Sequence, residues 1–261
     1  MPRPFDLPEA AVFDLDGVIT FTARVHAAAW KELFDQYLHP RAERLGESFV
    51  PFDEQYDYRM YVDGKPRYDG VQSFLNSRGI EIPYGQASDS PRSETVCGLG
   101  NRKNELFQIK LRELGVDVDT EAVHFVRELR MRNVCVGLAS SSKNARQILA
   151  SANLSDLFSA IVDGTLSESL GLRGKPEPDI FLKCLELLTG RIEPRLAIVF
   201  EDAIAGVEAG RLGGFGLVIG VDRIGQASAL RQQGADLVIR NFAEISPERL
   251  SEQFNSRLRA A

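Results

Sequence analysis

From Asp117 onward, short apolar runs alternate with amphipathic segments, and that alternation leaves few folds open. Apolar residues at helical spacing predict helices over Thr120–Met131, Lys143–Ser151, Asp179–Leu188, Ile204–Leu212 and Ala227–Gln233, with a last helix from about Pro247. Between them lie the runs Val134–Leu138, Ala160–Val162, Leu196–Phe200, Phe215–Val221 and Asp236–Ile239. These runs are continuous rather than alternating, as expected of strands covered on both faces. The pattern predicts an α/β fold: a doubly wound parallel sheet with helices on both sides. Ligands of such sheets bind beyond the carboxyl ends of the strands. The residues just after each strand therefore carry the search for function.

The first strand comes much earlier, in the stretch Val12 to Thr20, and the next hundred residues have a different character. An amphipathic segment runs from Thr22, a plausible N-cap, to about Leu38. Thr22, His26 and Trp30 recur every four residues and share one helical face, where ordinary packing is the simplest use for them. From Pro40 to about Leu114 the pattern is irregular, with helical pieces at Asp69–Ser77 and Asn101–Leu114 and an exposed polar loop at Tyr84–Thr95. Strand-like runs are nearly absent. The chain thus reads as residues 1–22 and 115–261 forming the sheet-bearing core, with residues 23–114 forming an inserted all-helical cap.

Chemistry gathers at the strand ends. The first strand leads into Asp14-Leu15-Asp16-Gly17, whose alternation predicts both carboxylates on one side. Two such groups repel, and a cation would relieve them; either could attack an electron-poor phosphorus. An acidic turn after a buried strand accounts for the same residues with no chemistry. The strand ending at Leu138 leads into Ala139-Ser140-Ser141-Ser142-Lys143-Asn144, hydroxyls and backbone N–H groups at a helix start, read either as an anion site or as a helix cap. Glu201-Asp202 come directly after the strand ending at Phe200. Lys175 is set between Gly174 and Pro176, with Pro178 fixing the turn. Taken together, these supply what phosphoryl transfer needs: a nucleophile, hard oxygen ligands for Mg²⁺, and donors around the phosphoryl oxygens. The chain has neither a G-x-x-x-x-G-K-[ST] loop nor a G-x-G-x-x-G turn, which argues against a nucleotide-loop kinase or a dinucleotide binder.

Bulk properties narrow the rest. The net charge of −6 over 261 residues argues against general nucleic-acid binding. No run approaches the roughly 18 apolar residues of a membrane helix. Three cysteines, Cys97, Cys135 and Cys184, lack paired spacing and fit a reducing, cytoplasmic setting.

In order along the chain, Phe13-Asp14-Leu15-Asp16-Gly17-Val18, Ser140, Lys175 and Glu201-Asp202 resemble the four motifs of the haloacid dehalogenase superfamily. The likeness is closest to its β-phosphoglucomutase-like subgroup. It rests further on Leu138 to Asn144, on Gly174-Lys175-Pro176 with Pro178 to Phe181, on Thr22, His26 and Trp30, and on Gly64 to Arg67 and Arg102-Lys103-Asn104. It covers about residues 11 to 220.

The resemblance implies a Rossmannoid core with a helical cap and a monomeric, Mg²⁺-dependent enzyme acting on a small sugar phosphate through a sugar bisphosphate. By it, Asp14 is the nucleophile and Asp16 the general acid and base. Asp14, the Asp16 carbonyl and Asp202 hold Mg²⁺, with Glu201 in support. Ser140 and Lys175 bind the transferring phosphoryl group, and His26 couples cap closure to Asp16. Arg67, Ser142, Lys143 and Asn144 hold the distal phosphate, Trp30 and Lys103 contact the sugar, and Gly64, Lys65 and Ser141 complete the substrate set. The alternative is a phosphatase for small sugar phosphates with the same nucleophile. Three features depart from the family: Phe21 where Asp is usual, Ala203 in place of Ser, and longer segments at Pro40–Tyr58 and Tyr84–Thr95.

Overall fold

The structure is a computed structural model that describes residues 7–260. The chain divides into two compact units, one comprising the chain through Phe21 together with the stretch from Asp117, the other Thr22–Val116.

The first unit carries six parallel strands: β1 (Ala10–Phe13), β2 (Cys135–Ala139), β3 (Ala160–Val162), β4 (Ala197–Glu201), β5 (Leu217–Val221) and β6 (Leu237–Ile239). Their order is β3-β2-β1-β4-β5-β6, which places β1 centrally, with Ala10 opposite both Cys135 and Ala197. This is the doubly wound α/β sheet that the apolar runs predict.

Side-chain alternation splits the strands between two covers. Ala10, Val12, Val199 and Val218 face a cluster with Ile180, Phe181, Cys184, Val207 and Leu230. On the other side Phe13 stacks on Phe200 with centroids 4.5 Å apart, and Phe125 and Phe242 close over Phe200 at 5.7 and 5.6 Å. Burial pushes the Cys184 thiol up to about 12, so it is inert packing.

In the second unit, α1 spans Ala23–Leu45, a π-helical turn Tyr58–Val62, α2 Arg67–Ser77 and α3 Val96–Leu114. Its core is aromatic: Phe34 packs on Phe74 at 4.0 Å and on Phe52 and Trp30 at 5.3 Å each.

Two helices have an end away from where the sequence pattern predicts it. Helix α1 does not end near Leu38 but runs through Pro40 to a left-handed Gly46 cap. Pro40 removes the donor for the Gln36 carbonyl, but both residues are exposed, so water can take that acceptor while Leu38 and Ala42 stay buried on the inner face. Helix α3 starts at Val96, not Asn101, because Thr95 Oγ1 caps it by accepting from Gly98 N at 2.9 Å. The preceding loop is pinned, since Asn101 Nδ2 donates to the Ala87 and Asp89 carbonyls at 3.0 and 2.8 Å.

Pro40→Ala restores a helix donor and removes a poor helix residue, less the entropy Pro takes from the unfolded chain. A net gain of about 2 kcal/mol is expected in urea unfolding. A loss of stability would show that Pro40 serves the helix in some other way.

The remaining helices of the first unit are α4 (Thr120–Met131), α5 (Ala145–Ser151), α6 (Gly164–Ser169), α7 (Asp179–Thr189), α8 (Ile204–Leu212), α9 (Ala227–Gln233) and α10 (Pro247–Ala260). Helix α6 has no counterpart in the sequence reading; it is six residues long and is capped by Asp163 Oδ1, which accepts from Leu166 N at 2.8 Å. Among the described residues no helix is long and apolar enough to cross a membrane.

Candidate active site

Strand β1 ends at Phe13, and Asp14 extends its pairing by one bond, donating from its N–H to the Phe200 carbonyl at 2.9 Å. That bond seats the Asp14 carboxylate at the carboxyl edge of the sheet, 6% exposed. Strand β4 delivers Glu201, which is fully buried, and Asp202 directly after it. One carboxylate oxygen from each of Asp14, Glu201 and Asp202 lies within 4.8 Å of the others. Lys175 is buried beside them. Its Nζ donates to Asp14 Oδ1 at 2.5 Å and to Glu201 Oε2 at 3.3 Å, and stands 4.9 Å over the Phe181 ring. Burial alone would discharge this ammonium, but the Asp14 and Glu201 charges more than offset that and raise its pKa above the ordinary lysine value. Lys175 is therefore a fixed cation at neutral pH.

Beyond Asp14 the chain turns sharply, with Leu15 O accepting from Ile19 N and Thr20 N at 2.9 Å each. Asp16 sits in this turn, half-buried, outside the strand. Gly17 has φ +87°, and a Cβ there would collide with the Asp202 carboxylate. Only glycine lets the two loops pack this closely. Among the described residues the carboxylates close enough to share a metal are Asp14, Glu201 and Asp202, without that of Asp16. These are hard oxygen donors of the kind that suits Mg²⁺.

The serine segment forms the local cap bonds that were one of its two readings. Ser140 is 1% exposed and its Oγ accepts from Ser142 N at 3.1 Å. Ser142 Oγ accepts in turn from Asn144 N at 3.2 Å. Two of the hydroxyl oxygens thus close local turns as acceptors, which does not use their O–H hydrogens. Lys143 Nζ pairs with Glu168 Oε2 at 2.6 Å. Helix α5 starts at Ala145, later than Lys143, and is seven residues long. Ser141 lies in the same half-buried segment.

In the second unit His26 and Trp30 lie on α1 and Lys103 on α3. Thr22 occupies the N-cap position of α1 with no side-chain capping bond. Lys103 is 4% exposed; its Nζ donates to His26 Nδ1 at 2.7 Å and stands 4.8 Å over Trp30 and 4.9 Å over Phe107. Trp30 is itself buried against Phe34. Arg67 Nη2 donates to Asn104 Oδ1 at 3.0 Å, and Lys65 Nζ to Ser73 Oγ at 2.9 Å. Gly64 turns the chain before them at φ +70°.

Desolvation, then the charges of Lys103 and Arg67, hold the His26 pKa well below 6.5. The unfolded chain therefore takes up this proton first as pH falls. The stabilising contribution is complete above about 6.5 and is lost as pH drops toward the folded-state value. Relative to His26→Gln, the wild type should lose up to about 1.4 kcal/mol of unfolding free energy per pH unit in that window. Parallel pH profiles for the two proteins would contradict the neutral ring.

The end of β5 also reaches this cluster, unmarked by any motif in the sequence. Asp222 and Arg223 come directly after β5, and Gln226 three residues later. Asp222 Oδ1 and Oδ2 accept from Gln226 N and Ala227 N at 2.7 and 3.1 Å. Gln226 Nε2 donates to the Asp202 carbonyl at 2.9 Å, while its buried Oε1 has no partner among the described residues. The strand-end rule applied to β5 would have named Asp222 and Arg223.

Residues 8–214 match the family model described as haloacid dehalogenase-like hydrolase. A β-phosphoglucomutase of Mycobacterium bovis is 48% identical over 93% of this chain and 94% of its own. That of Bacillus subtilis is 34% identical over 94% of this chain and 95% of its own.

The chain belongs to the haloacid dehalogenase family, in its β-phosphoglucomutase-like subgroup.

A β-phosphoglucomutase structure from Clostridium difficile matches with a TM-score of 0.76 and 26% identity, over 97% of this chain and 99% of that one. In a member of this family, the buried set at the ends of β1 and β4 is where phosphoryl chemistry is to be sought.

Proposed function

We propose that this chain is a β-phosphoglucomutase, converting β-glucose 1-phosphate to glucose 6-phosphate through an aspartyl phosphate and glucose 1,6-bisphosphate. The observation that carries the reading is the buried Asp14 carboxylate, held at 2.5 Å by a lysine that burial and two carboxylates keep charged. The relatives at 48% and 34% identity over nearly the whole chain are β-phosphoglucomutases, which supports this substrate.

Asp14 is the nucleophile. In one half-reaction its oxygen bonds to phosphorus as the bond to the sugar oxygen breaks, and Asp16 gives that oxygen a proton. In the other, Asp16 takes the proton of the attacking sugar hydroxyl as phosphorus leaves Asp14. Phosphorylated enzyme first phosphorylates O6 of β-glucose 1-phosphate, and the bisphosphate then returns its 1-phosphate to Asp14. Lys175 balances charge on the moving phosphoryl group, with Ser140 beside it. Asp14, Asp202 and the Asp16 carbonyl would hold Mg²⁺, with Glu201 in support. Bound there, the ion would neutralise charge on the phosphoryl oxygens.

Arg67, Ser142, Lys143 and Asn144 serve the distal phosphate; Lys143 must exchange Glu168 for it. Lys103 and Trp30 meet the sugar, Gly64, Lys65 and Ser141 complete the set, and His26 answers to Asp16. A cytoplasmic setting fits the free Cys97, Cys135 and Cys184.

A panel of α- and β-hexose 1-phosphates, each with Mg²⁺ and with or without trace bisphosphate, tests the reading. Glucose 6-phosphate is expected from the β-anomer of glucose 1-phosphate alone, with the bisphosphate shortening any lag. Turnover of the α-anomer only would overturn it.

A further inference from the structure

Arg223, just beyond β5, is 14% exposed at its side chain and grips the turn that carries Asp16. Its Nε donates to the Gly17 carbonyl at 2.6 Å and its Nη2 to the Val18 carbonyl at 3.2 Å. Nη2 also pairs with Asp119 Oδ2 at 2.6 Å, and Nη1 reaches the Arg240 carbonyl at 3.2 Å. The guanidinium lies 4.9 Å over the ring of Phe21. A planar five-donor fork can hold several acceptors at fixed angles, which a lysine cannot.

The turn needs such a grip. Gly17 occupies left-handed backbone and carries no side chain to lock it. On one side the segment is bonded to the returning chain, Phe21 N to Asp117 O at 2.8 Å and Asp119 N to Ile19 O at 2.9 Å. Arg223 closes the other side and joins both strands of that pairing through Phe21 and Asp119. Asp119 is itself fixed, because its Oδ1 caps α4 by accepting from Glu121 N and Ala122 N at 3.0 and 2.9 Å. Phe21, the departure from the family's Asp, thus becomes the platform on which the guanidinium stacks.

We propose that Arg223 is a positioning residue for Asp16: by holding the carbonyls of the next two residues, Arg223 sets the carboxylate where it must exchange a proton with the sugar oxygen. This rests on the role given to Asp16 above. A displacement of about 1 Å in a proton donor can cost on the order of 100-fold in rate. The consequence is selective. A sugar oxygen leaves phosphorus only with a proton, so its transfer needs Asp16 in place. Acetyl phosphate offers Asp14 the same phosphoryl group, and its acetate would depart with the bond's electron pair and need no proton.

The test compares Arg223→Met and Arg223→Lys with wild type in two assays. One measures turnover of β-glucose 1-phosphate with Mg²⁺ and trace bisphosphate; the other measures labelling of Asp14 by acetyl phosphate in rapid quench. Arg223→Met should slow the sugar reaction about 30- to 100-fold and the acetyl phosphate reaction by less than about threefold, with Arg223→Lys between. If Arg223→Met does not fold, Arg223→Lys must show the same selectivity in smaller measure. Equal losses in both assays, or none in either, overturn the proposal. Should wild type make no glucose 6-phosphate, the mutase reading fails by itself. Phosphate release from glucose 1,6-bisphosphate, whose leaving alcohol needs the same proton, then replaces the first assay.

Discussion

Asp14→Asn is expected to leave no measurable turnover, a loss on the order of 10⁴-fold or more, while the protein stays folded. An amide cannot form the acyl phosphate, and removing a covalent nucleophile deletes the whole route rather than one contribution to it. The fold should tolerate the change because Asn is nearly isosteric and its carbonyl oxygen can still accept from Lys175, which now bonds Asp14 at 2.5 Å. The backbone bond from residue 14 to the Phe200 carbonyl is untouched. Circular dichroism should therefore overlay on wild type, and acid-quenched enzyme should carry no labelled phosphate. Activity within tenfold of wild type would remove Asp14 from its role.

Lys175→Met has the second large effect, and it falls first on stability. The ammonium is buried between Asp14 and Glu201, so its loss leaves their charges together without it. Breaking a buried ion pair from one side costs about 3–5 kcal/mol, because the remaining charge is neither solvated nor matched. The sign with pH is set by the raised Lys175 pKa. The wild-type contribution is fully present below the ordinary lysine value of 10.5 and fades as pH rises through the folded-state value. Mg²⁺ should restore part of the variant's stability, since binding to the folded state alone stabilises it. A variant as stable as wild type at pH 7 without Mg²⁺ would contradict the account of this cluster.

The sheet was legible because its evidence is local. Strands covered on both faces need unbroken apolar runs, and the runs at Ala160–Val162 and Leu196–Phe200 fall within a residue of the observed strands. Asp14, Glu201 and Asp202 were legible for a related reason: the sheet delivers to one edge the residues at the ends of its strands. The features that stayed hidden depend on distant partners. Pro40 reads as a stop until its exposure is known. The serines after β2 read equally as an anion site or a cap until their oxygens are seen to accept from the neighbouring N–H groups. The strand-end rule marks the position of Arg223 but not its role, because its acceptors are backbone carbonyls some 200 residues earlier, at Gly17 and Val18. Carbonyls have no signature in sequence.

The most direct measurement is the fate of phosphorus. Enzyme with Mg²⁺, β-glucose 1-phosphate and trace glucose 1,6-bisphosphate is followed by phosphorus NMR. If Asp14 carries phosphate between two sugar hydroxyls, the glucose 1-phosphate signal passes into glucose 6-phosphate with little inorganic phosphate. Inorganic phosphate accumulating in step with glucose, and no glucose 6-phosphate, would show that water, not sugar, receives the group.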